Sequence, residues 1–291
     1  MSNRKKNEIK KVSDPIELSK HLIWRAERMD GTNDGQDLYI YHYTTLEAVE
    51  GILKSKQWFI NSPKNMNDGL ELEYLEGTTV DNIFFGSFLT EDEESIAMWS
   101  MYAQPWAKGV MIKIPIQKMK AWLRGKLSIF SADVKKHKAL KKLDNAKLTF
   151  HLIAYTDVEP NNTIEQTKLK CIKQEIVHPG NVYNFRELAG YVKDNAWSYE
   201  KEFRLKVEVP ADEKCEAVMV EIPEDILNSF EFVTGPRFEG DLVLKIKEIN
   251  PDFDLNEFEF EQSNRVEKSL FYNKLNWVYC DSCDKNIKEK Q

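Results

Sequence analysis

Hydrophobic and polar positions alternate most clearly in LYIYHY, where Leu38, Ile40 and His42 share one face of an extended chain and Tyr39, Tyr41 and Tyr43 the other. Thr44 then opens a helix by a capping box, with Glu47 three residues on, and Leu46, Val49, Ile52 and Leu53 form its apolar stripe. QWFIN reads as a short strand, PKNMNDGLELEYLEG as a turn running into a helix, and IFFGSFLT as a buried strand. Thr90 ends that strand and caps the next helix, with Glu93 in a second capping box and Ile96, Trp99 and Tyr102 along its length. The acidic run Glu91 to Glu94 suits the positive N-terminal end of that helix. KGVMIKIP predicts a strand, and residues 116–147 a helical and increasingly Lys-rich stretch. LTFHLIAYTDVE and the segment around CIKQEIV predict strands, and NVYNFRELAGYVKDNAW a helix. EAVMVEIP, FEFVTGP and LNEFEFEQ read as strands, EDILNSF and GDLVLKIKEIN as helices. Strands and helices mingle without a βαβ rhythm, which predicts an α+β fold with a mixed, largely antiparallel sheet flanked by helices.

Composition narrows the picture. The 291 residues suit one large domain or two small ones, and 42% hydrophobic content is enough for a sizeable core. The expected division is a basic N-terminal arm or helix over 1–30, a single α+β domain over 31–262 and a charged C-terminal extension over 263–291. A net charge of −7 argues against a general nucleic-acid coat protein. No apolar run approaches the length of a membrane span, and MSNRKKNEIKK lacks the apolar core of a secretion signal. The expected location is therefore cytoplasmic, with no membrane partner and with Cys171, Cys215, Cys280 and Cys283 reduced. Cys280 and Cys283 make half of a zinc site with no second half, and the five histidines lack close spacing, so no metal is expected. No Gly-rich Rossmann or Walker loop is present.

The charged motif of most interest is WSYEKEFRL. On a strand, Glu200 and Glu202 point the same way and Arg204 continues the row. Such a row is either a solvated, salt-bridged strand face or one wall of a site acting on a sugar carbon. The run VKKHKALKKLDNAK, from Lys135 to Lys147, is either a solvated helix face or a contact for nucleic acid or an acidic partner, with no aromatic stacking pattern beside it.

Five motifs in order carry a resemblance: YHYTTLEAVEGILKSKQWFINSPKNMNDGLE, GSFLTEDEESIAMWSMYAQPWAKGVMIKI, WSYEKEFRL and VTGPRF contain a His-Tyr-Thr start, an Asn-Asp turn, a Trp-x-x-Tyr helix with a Gly-leading strand, a Glu-x-Glu-aromatic-Arg strand and a Gly-Pro turn. Over roughly residues 38–240 the chain resembles the bacterial domain-of-unknown-function family twenty-nine seventy-one. Trp106 departs from the pattern, where a polar residue or His is expected.

The family's layout looks like the ADP-ribosyltransferase fold, a split sheet holding NAD in a cleft. That resemblance implies an NAD-consuming enzyme cleaving the ribose–nicotinamide bond, in the setting of a bacterial toxin or phage-defence effector. It implies Glu202, Glu200 and His42 as catalytic residues, and His42, Tyr43, Thr44, Trp99, Tyr102 and Arg204 as the contacts to NAD. The partners would be NAD and a macromolecular acceptor, with nucleic acid reached through Lys135 to Lys147. Each residue has a plainer reading: His42 as a buried His on the Leu38 and Ile40 face, Trp99 and Tyr102 as core packing, and Asn67-Asp68-Gly69 and Gly235-Pro236-Arg237 as turns. The alternative function is a non-catalytic nucleotide- or nucleic-acid-binding module using the same cleft.

Overall fold

The computed structural model describes residues 10–11, 15–29, 38–65, 82–90, 94–157, 166–171, 174–179, 190–253 and 265–272. In chain order, β1 (Lys10–Lys11) and α1 (Pro15–Glu27) are followed by β2 (Tyr39–Thr45), α2 (Leu46–Ser55), β3 (Gln57–Asn61) and β4 (Ile83–Leu89). Next come α3 (Ile96–Tyr102), β5 (Gly109–Pro115), α4 (Ile116–Arg124), β6 (Ile129–Asp133), β7 (Lys138–Lys142), β8 (Lys147–Leu152) and β9 (Ala154–Thr156). The chain continues through β10 (Gln166–Cys171), β11 (Gln174–Pro179), β12 (Val192–Asp194), a 3-10 turn at Asn195–Glu200, β13 (Glu202–Glu208) and β14 (Ala217–Glu221). It closes with α5 (Glu224–Leu227), β15 (Glu231–Thr234), α6 (Leu242–Ile249) and β16 (Val266–Lys268). This is a mixed α+β architecture with largely antiparallel pairing.

The chain divides into two compact units, one of residues 1–40, 57–91 and 115–223 and the other of 41–56, 92–114 and 224–291. In the first, strands run in the order β8-β13-β4-β3-β14-β6-β7, every neighbouring pair antiparallel. A five-stranded sheet, β1-β11-β10-β9-β12, is parallel at its two outer pairs, β1 with β11 and β9 with β12. Strand β13 is buried on both faces. Phe203, Leu205 and Val207 form its apolar face, and Phe203 stacks on Phe150 at 5.4 Å between ring centroids. Helix α1 packs against β8 through its stripe Leu18, Leu22 and Ala26, all fully buried. Trp58 meets Phe88 and Trp122, whose indole N–H donates to the Glu221 carbonyl at 2.7 Å.

The second unit carries β16-β15-β5-β2, with β15 antiparallel to β5 and parallel to β16. Val49, Ile52 and Leu53 of α2 are buried, as expected, but Leu46 is only half-buried. The helix N-cap is Thr45 rather than Thr44: Thr45 Oγ1 accepts from Ala48 N at 3.4 Å, while Thr44 turns into the core and Glu47 pairs with Lys108 instead of closing a box. Ser95, not Thr90, caps α3, because its hydroxyl accepts from Met98 N; Thr90 donates to the Lys201 carbonyl at 2.7 Å.

The largest correction falls on 116–147. Only Ile116–Arg124 is helical, and the Lys-rich run is the antiparallel hairpin β6–β7. Ala132 and Ala139 pair across it and pack with Ala217 and Met219, so the hairpin is held by small apolar contacts on one face. Strand β7 is the edge of its sheet, where exposed lysines discourage pairing with another chain. The expected helix up to Trp197 is likewise not one in its described part: Gly190 and Tyr191 form a turn, then come β12 and the 3-10 turn. Five expectations lie outside the described residues: the N-terminal arm to Ile9, the Asn67-Asp68-Gly69 turn with the helix after it, Glu93 in its capping box with most of the Glu91 to Glu94 run, the LNEFEFEQ strand and the Cys280–Cys283 pair. No helix among the described residues is long and apolar enough to cross a membrane.

Candidate functional site

The second face of β13 is charged and buried. Glu202 and Arg204 alternate with Phe203 along the strand, so both point to the same side, where they are 1% and 0% exposed. Arg204 grips Glu202 from two positions, Nε on Oε1 at 2.6 Å and Nη2 on Oε2 at 3.0 Å. Lys193 of β12 donates to the same carboxylate at 3.0 Å and to Glu200 at 2.7 Å. Two carboxylates and two cations thus close on one another.

Glu200 reaches this cluster by a route that strand alternation does not describe. It ends the 3-10 turn, and Lys201 takes a left-handed φ of +41° before β13 begins at Glu202. The two glutamates are therefore not neighbours on one pleated face. They share Lys193 because the turn folds Glu200 back over the head of the strand. Nor do they form a solvated row, since Glu200 is 4% exposed. Burying such charges is tolerated only where they are paired and hydrogen-bonded, which is the condition met here.

The neighbours complete the layer. Tyr155 of β9 accepts from the Glu202 backbone N–H at 2.9 Å. His151 of β8 lies opposite Arg204 in the register, and its Nε2 donates to the Gly190 carbonyl at 2.8 Å, since that carbonyl can only accept. Arg204 Nη1 donates to the same carbonyl at 3.3 Å and its guanidinium lies 4.5 Å over the Phe85 ring. Nδ1 of His151 is buried with no hydrogen-bond partner. Gly190 has φ +81°, and a Cβ there would fall 2.4 Å from Phe85 Cζ, so the turn carrying this carbonyl needs glycine. Lys206 pairs with Glu208 at 2.6 Å and lies 5.1 Å over the Tyr191 ring.

Electrostatics follow the packing. Burial pushes the Glu202 carboxyl up, but Arg204 and Lys193 outweigh it and hold the group well below the usual carboxylate range. Burial lowers His151 to about 3, against the opposing pull of the Gly190 carbonyl, so the ring is neutral. Burial likewise raises the Tyr155 hydroxyl well above its usual range. Beside the cluster, Trp197 and Tyr199 lie 6.2 Å apart, with Lys193 5.4 Å over the Trp197 ring and Tyr199 40% exposed.

Of the residues singled out in the sequence, Glu200, Glu202 and Arg204 are thus together in the first unit. His42, Tyr43, Thr44, Trp99 and Tyr102 belong to the second. There Trp99 is fully buried, with the Tyr43 ring edge-on at 4.8 Å and its indole N–H donating to Glu94 at 2.9 Å. Tyr43 accepts from Ser95 N at 3.1 Å, and burial raises its hydroxyl to about 12. Glu94 also accepts from Leu270 N at 2.7 Å and bonds Ser269. Thr44 is buried; His42 and Tyr102 are half-buried. Trp106 carries Arg237 5.8 Å over its ring, which gives the aromatic residue at that position a cation to hold.

Lys193, Tyr155 and His151 were not anticipated. Each comes from a different strand, and no spacing in the sequence marks them. Among the described residues, no group of His, Cys, Asp or Glu could hold a metal ion, and Cys215 is a free, half-buried thiol. No curated protein and no solved structure matches the chain. Residues 98–205, from helix α3 to the Arg204 strand, match the family described as Protein of unknown function (DUF2971), the family that the sequence motifs resemble.

Proposed function

We propose that the chain is an NAD-consuming enzyme of ADP-ribosyltransferase type, which cleaves the ribose–nicotinamide bond and passes ADP-ribose to a macromolecule or to water. The observation that supports this reading best is Glu202, a carboxylate kept ionised at the head of β13 by Arg204 and Lys193. As the bond from C1′ to nitrogen breaks, its electron pair leaves with nicotinamide and positive charge grows on the ribose. An ionised carboxylate on a ribose hydroxyl stabilises that charge more than it stabilises the ground state. The attacking group then bonds C1′ and sheds a proton, which Glu200 takes in this scheme. Lys193 is the partner that has to move, because it shares itself between the two carboxylates. Arg204 orients Glu202 rather than binding diphosphate. The contacts asked of His42, Tyr43, Thr44, Trp99 and Tyr102 rest on the order of the motifs along the chain, and so does the role of toxin or phage-defence effector.

The test is nicotinamide release from labelled NAD, with label transfer to lysate protein and nucleic acid followed in parallel. Release by the native chain and loss of about 100-fold or more in Glu202→Gln, at unchanged folding, is the expected result. No release and no transfer sinks the reading.

Burial favours a second reading. Glu202 and Arg204 are closed off from solvent and spent on each other, as they would be in a non-catalytic nucleotide- or nucleic-acid-binding module. The exposed lysines of the β6–β7 hairpin, with His137 stacked on Phe59 at 4.6 Å, would then meet the nucleic-acid backbone. This reading predicts ligand-dependent thermal stabilisation without turnover, and salt-sensitive binding that weakens in Lys138→Gln/Lys142→Gln.

A further inference from the structure

A cleft of about 230 Å³ is lined by Trp24 and Arg25 from the last turn of α1, by Arg28 and Met29 just after it, and by Leu152 of β8. Leu152 follows His151 in the strand, so the two face opposite sides of the sheet. His151 lies opposite Arg204 in the register and Leu152 opposite Phe203. The cleft is therefore on the apolar side of β8, away from the Glu202 layer.

Its walls combine positive charge with a fixed aromatic surface. Arg25 is in the last turn of α1 and Arg28 in the turn that follows it, where the Arg28 N–H donates to the carbonyls of Trp24 at 3.2 Å and of Arg25 at 3.1 Å. Arg28 lies 4.5 Å over the Trp24 ring, and His21 stacks on the same indole at 5.7 Å. The stack holds the Arg28 guanidinium in a defined orientation, which lowers the entropy lost when it takes a ligand. The helix end itself is anchored: Lys120, 2% exposed, donates to the carbonyls of Glu27 and Met29 at 2.7 Å each. Trp24 remains 48% exposed and lines the cleft.

We propose that this cleft binds a small phosphate-bearing ligand, with the phosphate on Arg25 and Arg28. A planar guanidinium offers paired N–H donors that match phosphate oxygens, and two of them at the anchored end of a helix suit a dianion. The volume limits the enclosed part to a phosphate and a few further atoms; a nucleoside attached to it would extend past Trp24 into solvent. The site is independent of the reading of Glu202 as catalytic.

Calorimetric titration of the full chain with AMP, inorganic phosphate and adenosine tests it. Saturable binding of AMP or of phosphate, absent for adenosine and weakened about tenfold or more by Arg28→Ala and by Arg25→Ala, is expected. Glu202→Gln is expected to leave that binding unchanged, which separates this cleft from an NAD site at the glutamates. Arg28→Lys, which keeps the charge but loses the fork, serves where an alanine variant melts early, and should bind more weakly than the native chain. Absence of saturable heat with both AMP and phosphate overturns the proposal. So does equal binding of adenosine, or binding that survives Arg25→Ala/Arg28→Ala.

Discussion

Two charged segments of the same unit, β13 and the β6–β7 hairpin, have opposite fates. KEFRLKVE and KKHKALKK both place a charge at nearly every second position. In β13 the charges at Glu202, Arg204 and Lys206 are buried; in the hairpin Lys135, Lys136, Lys138, Lys141 and Lys142 are exposed. The difference lies in sign. The β13 row mixes acid and base and finds Lys193 and Glu200 across from it, so each charge entering the interior meets an opposite one. The row KKHKALKK carries only positive charges; Lys141 meets Glu213 at the surface at 2.7 Å, and a row of one sign cannot lose its water. A charged strand is therefore read by whether its charges can neutralise one another.

The sharpest way to break this comparison is to leave one buried charge alone. Arg204→Leu takes the guanidinium from Glu202 and leaves it with Lys193 and the Ser87 side chain, and should cost about 3–5 kcal/mol in urea unfolding. Glu202→Leu/Arg204→Leu should recover a good part of that loss, because both members leave together. A double variant as unstable as the single would show that packing, not charge, sets the cost.

Acid probes the same layer more gently. His151 is held neutral down to about 3, whereas an unfolded His takes a proton near 6.5, and Glu202 is held ionised below the usual carboxylate range. Both groups have lowered values in the fold: the His151 contribution is full above 6.5 and is lost as pH falls toward 3, and the Glu202 contribution is full above the ordinary carboxylate value and is lost below it. Melting temperature should decline below pH 6.5, by the equivalent of a few kcal/mol near pH 4, with the His151 part on the order of 1.4 kcal/mol per pH unit. In His151→Gln the decline between pH 6.5 and 5 should flatten; an unchanged slope would remove His151 as its source.

Gly190→Ala forces a Cβ against Phe85 and strains a positive φ. It should lower stability by about 1–3 kcal/mol and loosen the carbonyl that His151 and Arg204 share. At the small end, Lys138→Gln/Lys142→Gln should stay within about 0.5 kcal/mol of the native chain in the same unfolding assay. A larger loss would mean that the hairpin lysines are structural after all.

Much of the fold was legible because it rests on local pattern. Alternation in LYIYHY, the stripe Val49, Ile52 and Leu53, and the apolar runs of β4, β5 and β14 each mark an element that the structure contains. The failures share one cause. Lysine is compatible with helix and with an exposed edge strand, so 126–147 reads as helix until Ala132 and Ala139 find Ala217 and Met219. The caps moved because Thr44 and Thr90 were taken up by the core and by Lys201, leaving Thr45 and Ser95 to meet the free N–H groups. At the site, the Glu200-x-Glu202 pair stood out in the sequence, but its geometry did not. A left-handed Lys201 broke the expected pleat, and a lysine from another strand then joined the two carboxylates.

The sequence by itself determined the α+β class, most element positions and the three charged residues Glu200, Glu202 and Arg204, because periodicity and composition are properties of neighbours along the chain. Tertiary structure decided that those charges are interior, that Lys193, Tyr155, His151 and Gly190 complete their layer, and that Arg25 and Arg28 at the end of α1 border a cleft. These are properties of neighbours in space, and the energy of a buried charge depends on partners that no local pattern reveals.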